Sequence, residues 1–168
     1  MKQIAIIRGQ DIAPGSPLVD PSNYPYRECA RAVLFHSKRV ALVYIANEHY
    51  YKLPGGGIEP NETAVAALRR EVLEETGYQI ENIKEIGETL EYKDFKPERQ
   101  RALCFTAAIV GKPIVVQLTD EEKAIGPTLV WADNLEQAIK LTEVARPESI
   151  SARFIQYREL LFLRAVLD

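Results

Sequence analysis

Runs of hydrophobic residues separated by short polar stretches occupy most of the chain, and they follow two different periods. Short runs rich in Val, Leu and Ile, bounded by Gly, Pro or charged residues, predict β-strands. Hydrophobic residues that recur every three to four positions predict helices. The predicted strands cover about residues 4–8, 30–36, 40–46, 80–92, 102–110, 115–118 and 128–131, and the predicted helices cover about residues 62–76, 134–141 and 148–166.

The order of these elements predicts a fold of the α/β class. A mixed sheet between helices, an α/β/α sandwich, buries the apolar faces of both kinds of element. The polar residues 37–39 predict a hairpin between two strands. A length of 168 residues is typical of one domain (1–168), in which residues 1–28 hold the N-terminal strand and a Pro-rich surface connection. The length of that connection, residues 9–27, leaves open the roles of a lid and of an arm exchanged between two subunits.

The composition narrows the classes of partner and the compartment. The formal net charge of −3 disfavours binding to long nucleic acid, which requires a basic surface, but leaves small nucleotides open. No hydrophobic run approaches the length of a membrane span, and the N-terminal run is too short for a signal peptide. Cys29 and Cys104 lack CxxC spacing and predict buried free thiols in a reducing compartment. These features predict a cytoplasmic protein that does not bind membranes.

The helix predicted over residues 62–76 carries three glutamates on one face. At about 100° per residue, Glu74 and Glu75 both fall within about 60° of Glu71. Like charges at this spacing repel each other, and the last turns of a helix disfavour anions. A hard divalent cation such as Mg²⁺ would relieve the repulsion, because it takes carboxylate oxygens as ligands and keeps positions for water and phosphate.

The ends and the buried side of the same helix are also predicted. Asn61 is the candidate N-cap, and Gly77 is expected to end the helix in the left-handed conformation. Val65, Leu68 and Val72 share one flank of the helix and predict the face that packs on the core.

Three glycines, Gly55, Gly56 and Gly57, precede this helix and predict a turn. Glycine lets the backbone pass close to a ligand, and a backbone carbonyl in such a turn can bind a metal ion. A glutamate-rich helix alone is more typical of a solvated surface. Its combination with the glycine turn and with Arg70 favours a metal site over that simpler interpretation.

Residues 56–78 resemble the Nudix box, G-x5-E-x7-R-E-U-x-E-E-x-G-U, in which U is a bulky aliphatic residue. The final U position holds Tyr78, whose ring can still pack into the core. The matching positions are Gly56, Glu62, Arg70, Glu71, Val72, Glu74, Glu75 and Gly77.

The resemblance implies the Nudix α/β/α sandwich and a hydrolase that cuts the pyrophosphate of a nucleoside diphosphate linked to another group X. It implies Mg²⁺ as the cofactor, with Mn²⁺ as a substitute. By position, Glu74 and Glu75 would bind the metal, Glu71 would bind a metal or act as the general base, and Gly55 with Gly56 would adjoin the cofactor, Gly55 through its carbonyl.

The resemblance also implies residues that act through others and a ligand from outside the box. Arg70 and Glu62 would form an ion pair that orients the catalytic helix. Family members often take one more acidic metal ligand from elsewhere in the chain, and we favour Glu122. Its alternatives are Glu121, Glu91 and Glu98.

The substrate is predicted only by elimination. The proline that ADP-ribose hydrolases carry about 16 residues past the box is absent, since Asp94 and Phe95 stand there and the first proline is Pro97. The coenzyme A signature is also absent. A nucleoside triphosphate of the MutT type therefore remains the first choice. ADP-ribose, another dinucleotide or a nucleotide sugar stays open, as do a non-catalytic nucleotide sensor, a passive interaction scaffold and a homodimer.

Overall fold

The computed structural model describes residues 1–17, 20–114 and 127–167. The predicted strand over 115–118 and the candidate ligands Glu121 and Glu122 lie outside these residues. The described elements are β1 (Gln3–Arg8), α1 (Gly9–Ile12), β2 (Tyr26–His36), β3 (Arg39–Ile45), β4 (Tyr50–Lys52), β5 (Gly55–Gly57), α2 (Ala64–Thr76), β6 (Gln79–Lys93), β7 (Glu98–Val110), β8 (Thr128–Ala132), α3 (Leu135–Val144) and α4 (Ile150–Ala165).

The strands form one mixed sheet. Its main order is β1-β6-β7-β2-β3-β4, while β5 pairs with β2 and β8 pairs with β3. The pairs β1 with β6 and β2 with β7 are parallel, and the other pairs are antiparallel. The predicted hairpin is confirmed: His36 pairs with Arg39, and Ser37 adopts a positive φ of 59° in the turn between them.

The helices cover both faces of the sheet, which confirms the α/β/α sandwich. Successive side chains of a strand point to opposite faces. In β2, Ala30 and Leu34 accordingly join the hydrophobic cluster of α2, whereas Cys29 joins the cluster of α3 and α4. Cys29 and Cys104 are both buried free thiols, as predicted.

The helix α2 begins two residues later than predicted. Thr63 is the N-cap, since its hydroxyl oxygen accepts a hydrogen bond from the Ala66 amide at 3.2 Å; Asn61 lies outside the helix with a φ of 67°. Gly77 ends the helix with a φ of 75°, as predicted. The core assignment of Val65 is wrong: it is 39% exposed, because Ala64 packs against the core in this first turn.

Three other boundaries correct the sequence predictions. The hairpin of β6 and β7 continues to the pair Lys93 and Glu98, so the connection is only residues 94–97. Part of the predicted connection 9–27 is ordered into α1 and the start of β2. The last helix begins at Ile150, where the Ser149 hydroxyl caps it. Among the described residues, no helix has the length and apolar character needed to cross a membrane.

Candidate active site

The glycine segment forms a short strand and not the predicted turn. Gly55, Gly56 and Gly57 pair with Arg31, Ala30 and Cys29 of β2, respectively. Gly55 has a φ of 128°, and a Cβ atom there would lie 2.1 Å from the Ala30 carbonyl oxygen. Only glycine allows this close approach of the two backbones.

The acidic face of α2 lies against this strand. A Cβ atom on Gly56 would lie 2.1 Å from the carboxyl carbon of Glu71, so the missing side chain makes room for that carboxylate. The Gly55 amide donates a hydrogen bond of 2.9 Å to Glu75 Oε2. The side chains of Glu71 and Glu75 are 19% and 14% exposed, whereas Glu74, with 59%, faces solvent. Two of the three carboxylates are therefore held at the glycine strand.

Arg70 fastens this helix to the loop before it. Its guanidinium donates to both carboxylate oxygens of Glu62, at 3.1 and 2.9 Å, and to the Gly57 carbonyl oxygen at 3.0 Å. It also donates to Glu71 Oε1 at 2.8 Å. These hydrogen bonds raise the pKa of Arg70 above its ordinary value and lower the pKa of Glu62 below 4.5. The ion pair of Arg70 and Glu62 is therefore fully charged at neutral pH. It is lost as the pH falls through the lowered pKa of Glu62.

A second cation reaches the acidic face from the sheet. Lys52, the last residue of β4, forms an ion pair with Glu75 Oε1. Lys52 was not among the residues predicted from the sequence. Its only signal there was its place two residues before Pro54 and the glycines, and its partner Glu75 lies 23 positions away along the chain.

The donor set fits a hard divalent cation. Such an ion takes carboxylate and carbonyl oxygens, which Glu71, Glu74, Glu75 and the glycine backbone offer at one end of the helix. Within residues 1–17, 20–114 and 127–167, no three acidic, His or Cys side chains lie close enough to enclose an ion. Arg70 and Lys52 pair with the carboxylates of Glu71 and Glu75. A bound ion would add a countercharge at these carboxylates.

Glu91 and Glu98, the two candidate additional ligands within the described residues, are each paired with a cation from outside α2. Glu91 is fully buried on the α4 side of the sheet, where Arg158 Nη1 donates to its Oε1 at 3.2 Å. Glu98 accepts from Lys93 at 3.0 Å; burial alone would raise its pKa, but the Lys93 ammonium lowers it below the ordinary value. Glu71 and Glu75 are also paired with cations, so these partners do not decide which carboxylate is the additional ligand, and that assignment stays a prediction.

A buried charged network between the sheet and α4 was not predicted from the sequence. Arg158 donates to Glu159 at 2.6 Å as well as to Glu91, and Glu159 faces Arg31 at 4.0 Å. Burial alone would lower the pKa of Arg158, but the carboxylates of Glu159 and Glu91 raise it well above its ordinary value. Lys93 completes the network at the side of Glu91.

Comparison with solved structures defines the class of this fold. The structure of an ADP compounds hydrolase superposes with a TM-score of 0.61 at 16% identity, covering 84% of this chain and 71% of that chain. The structure of a MutT NUDIX hydrolase from Burkholderia pseudomallei superposes with a TM-score of 0.57 at 20% identity, covering 79% and 96%. The fold is thus the α/β/α sandwich seen in these hydrolases.

The family follows from the sequence. The NUDIX domain model matches residues 25–164, and the chain belongs to this family. Among curated relatives, an RNA pyrophosphohydrolase from Bartonella clarridgeiae is 37% identical over 92 residues, which are 48% of this chain and 53% of that protein. The chain spans about half the length of the first curated relatives that it matches.

Proposed function

We propose that this protein is a Mg²⁺-dependent pyrophosphohydrolase of a nucleoside diphosphate linked to another group, with a nucleoside triphosphate as the first-choice substrate. The observation that carries the proposal is the convergence of Glu71 and Glu75 on the glycine strand, while Arg70 clamps the same helix. A helix face whose carboxylates repel each other and are paired with cations of the protein itself is suited to bind a metal ion.

Each residue of the candidate site has its own role in the proposed hydrolysis. Glu71 accepts the proton of a water molecule as the water oxygen bonds to a phosphorus atom of the pyrophosphate. The bond from that phosphorus to the bridging oxygen breaks, and the bridging oxygen leaves with the electron pair. Glu74 and Glu75 hold the cofactor, and Arg70 with Glu62 fixes the helix that bears them. When bound, Mg²⁺ supplies Lewis-acid activation of the water and neutralises the developing negative charge.

A second substrate class has its own support. Several matched relatives carry the name RNA pyrophosphohydrolase, at 31–37% identity over their matched segments. A triphosphate at the 5′ end of an RNA presents the same phosphate chain as a free nucleoside triphosphate. The net charge of −3 favours the free nucleotide, because long nucleic acid is bound by basic surfaces.

A panel of substrates tests the proposal. The purified protein with Mg²⁺ is offered canonical and oxidised nucleoside triphosphates, a 5′-triphosphorylated RNA oligonucleotide, ADP-ribose, dinucleoside polyphosphates and nucleotide sugars, and the products of each reaction are separated and identified by anion-exchange chromatography. We expect a free triphosphate to be the best substrate. A higher kcat/KM for the RNA or for ADP-ribose would reassign the substrate. No turnover of any compound would contradict the catalytic proposal and favour a nucleotide sensor.

Substitutions in the glycine strand test the position of Glu71. In Gly56→Ala the new methyl group occupies the space of the Glu71 carboxylate, so we expect hydrolysis to fall about a hundredfold, the usual cost of moving a reacting group by about 1 Å. Gly57→Ala is the matched control, because its methyl group meets only Arg27 Nη2, at an ordinary 3.5 Å. Steady-state kinetics of both variants, with melting temperatures to confirm folding, check this; equal kcat values would contradict it.

A further inference from the structure

Lys52 and Glu75 form an ion pair at the edge of the candidate active site. Both side chains are largely buried, and the ammonium of Lys52 contacts Glu75 Oε1. The other oxygen of Glu75 accepts from the Gly55 amide. Both oxygens of this candidate metal ligand are therefore engaged by donors of the protein itself.

The two cations at the acidic face are held in different ways. Arg70 is fixed by Glu62 and by the Gly57 carbonyl as well as by Glu71, so its position does not depend on the acidic face of α2 alone. For Lys52, the contacts recorded within the described part of the chain are to Glu75 alone. A compact ammonium on a flexible four-carbon stem moves more easily than a planar guanidinium with several fixed hydrogen bonds.

The base of the Lys52 side chain is anchored close to the site. Lys52 pairs with Val43 of β3, a fully buried residue, and therefore cannot move far along the sheet. When the Lys52 ammonium leaves Glu75, its side chain is long enough to reach a polyphosphate that a metal ion holds at the same carboxylates. Lysine is a common partner of phosphate oxygens, which it binds as a point charge.

We propose that Lys52 is an exchangeable counter-ion of Glu75, which a divalent cation displaces and which then pairs with a phosphate of the bound nucleotide. This inference rests on the proposed function, since it takes Glu75 as a metal ligand. Lys52 is thus a positioning residue that links two binding events: it opposes the metal ion when no nucleotide is present and favours the nucleotide once the metal is bound.

Direct metal binding tests this role without any catalytic measurement. Mn²⁺ alone is titrated into the wild-type protein and the free ion is followed by electron paramagnetic resonance. We expect Lys52→Met to bind Mn²⁺ about three- to tenfold more tightly than wild type, because the competing cation is gone. Lys52→Gln, which keeps a polar end beside Glu75, is the second charge-removing variant and should change in the same direction.

Two variants serve as controls. Lys52→Arg keeps the charge and should bind Mn²⁺ no more tightly than wild type, because a guanidinium is displaced less easily than an ammonium. Lys140→Met makes the same change on an exposed position of α3 and should leave the affinity unchanged. In steady-state kinetics, Lys52→Met should raise KM for the nucleotide several-fold while changing kcat less.

The Mn²⁺ titrations and the hydrolysis assay together distinguish failure of the proposed role of Lys52 from failure of the proposed function. Mn²⁺ affinity that is equal or weaker in both charge-removing variants would overturn the role of Lys52 and support a purely structural ion pair. Wild-type protein that binds Mn²⁺ but hydrolyses nothing would contradict only the proposed function. If neither the wild type nor the variants bind Mn²⁺, the metal assignment and the role of Lys52 fall together.

Discussion

Replacing Glu75 with glutamine is expected to lower the rate of hydrolysis at least about a hundredfold while leaving the fold intact. Glutamine keeps the shape of the side chain and one oxygen that can accept from the Gly55 amide, but it removes the negative charge that a Mg²⁺ ligand needs. A bound metal contributes several kcal/mol to stabilising the transition state, so kcat should fall about a hundred- to a thousandfold. Glu74→Gln should lose activity to a similar extent.

Matched controls make this result specific. Glu85→Gln changes an exposed glutamate on β6 in the same way and should leave kcat within a factor of about two. Circular dichroism and melting temperatures should show all three variants folded. Activity retained in both Glu74→Gln and Glu75→Gln would contradict the assignment of these carboxylates as metal ligands.

The largest effect on stability is expected at Arg158. This side chain is 1% exposed, and Arg158→Ala would leave Glu91 and Glu159 buried without their main countercharge. Breaking a buried ion pair on one side costs about 3–5 kcal/mol of unfolding free energy, because the remaining charge is uncompensated. Chemical denaturation followed by fluorescence measures this loss.

Arg164→Ala, six residues further along the same helix, is the matched control for this loss of stability. Arg164 pairs with Glu143 at 2.9 Å, but both side chains are about half exposed. An exposed pair contributes at most about 1 kcal/mol, since water solvates both partners after the change. A similar loss of stability in the two variants would show that burial of the Arg158 network is not what makes it important.

The structural features that depend on residues close together in the chain were predicted most reliably from the sequence. The acidic face of α2 and the end of the helix at Gly77 follow from residues a few positions apart, and both features are present in the structure. The cap was assigned to Asn61 and not to Thr63, because two suitable residues stand two positions apart and only the backbone conformation decides between them.

Features that depend on distant pairing were not predictable in the same way. The glycine segment is a strand only because β2 lies beside it, and the contact of Arg158 with Glu91 joins residues 67 positions apart. The sequence predicted that the two strands end at residue 92 and begin again at residue 102, because the residues between them, including Lys93 and Glu98, are largely charged. In the structure Lys93 and Glu98 pair with each other, which allows these polar side chains to be buried within a continuous β-ladder.

The central claim, that this acidic helix serves a pyrophosphohydrolase, is tested most directly by identifying the products of a nucleoside triphosphate. The wild-type protein is incubated with Mg²⁺ and the triphosphate, and the reaction is followed by phosphorus NMR. We predict that mononucleotide and pyrophosphate appear together in equal amounts and that neither appears with Glu75→Gln. Formation of nucleoside diphosphate and phosphate, or product formation that Glu75→Gln leaves unchanged, would contradict the account.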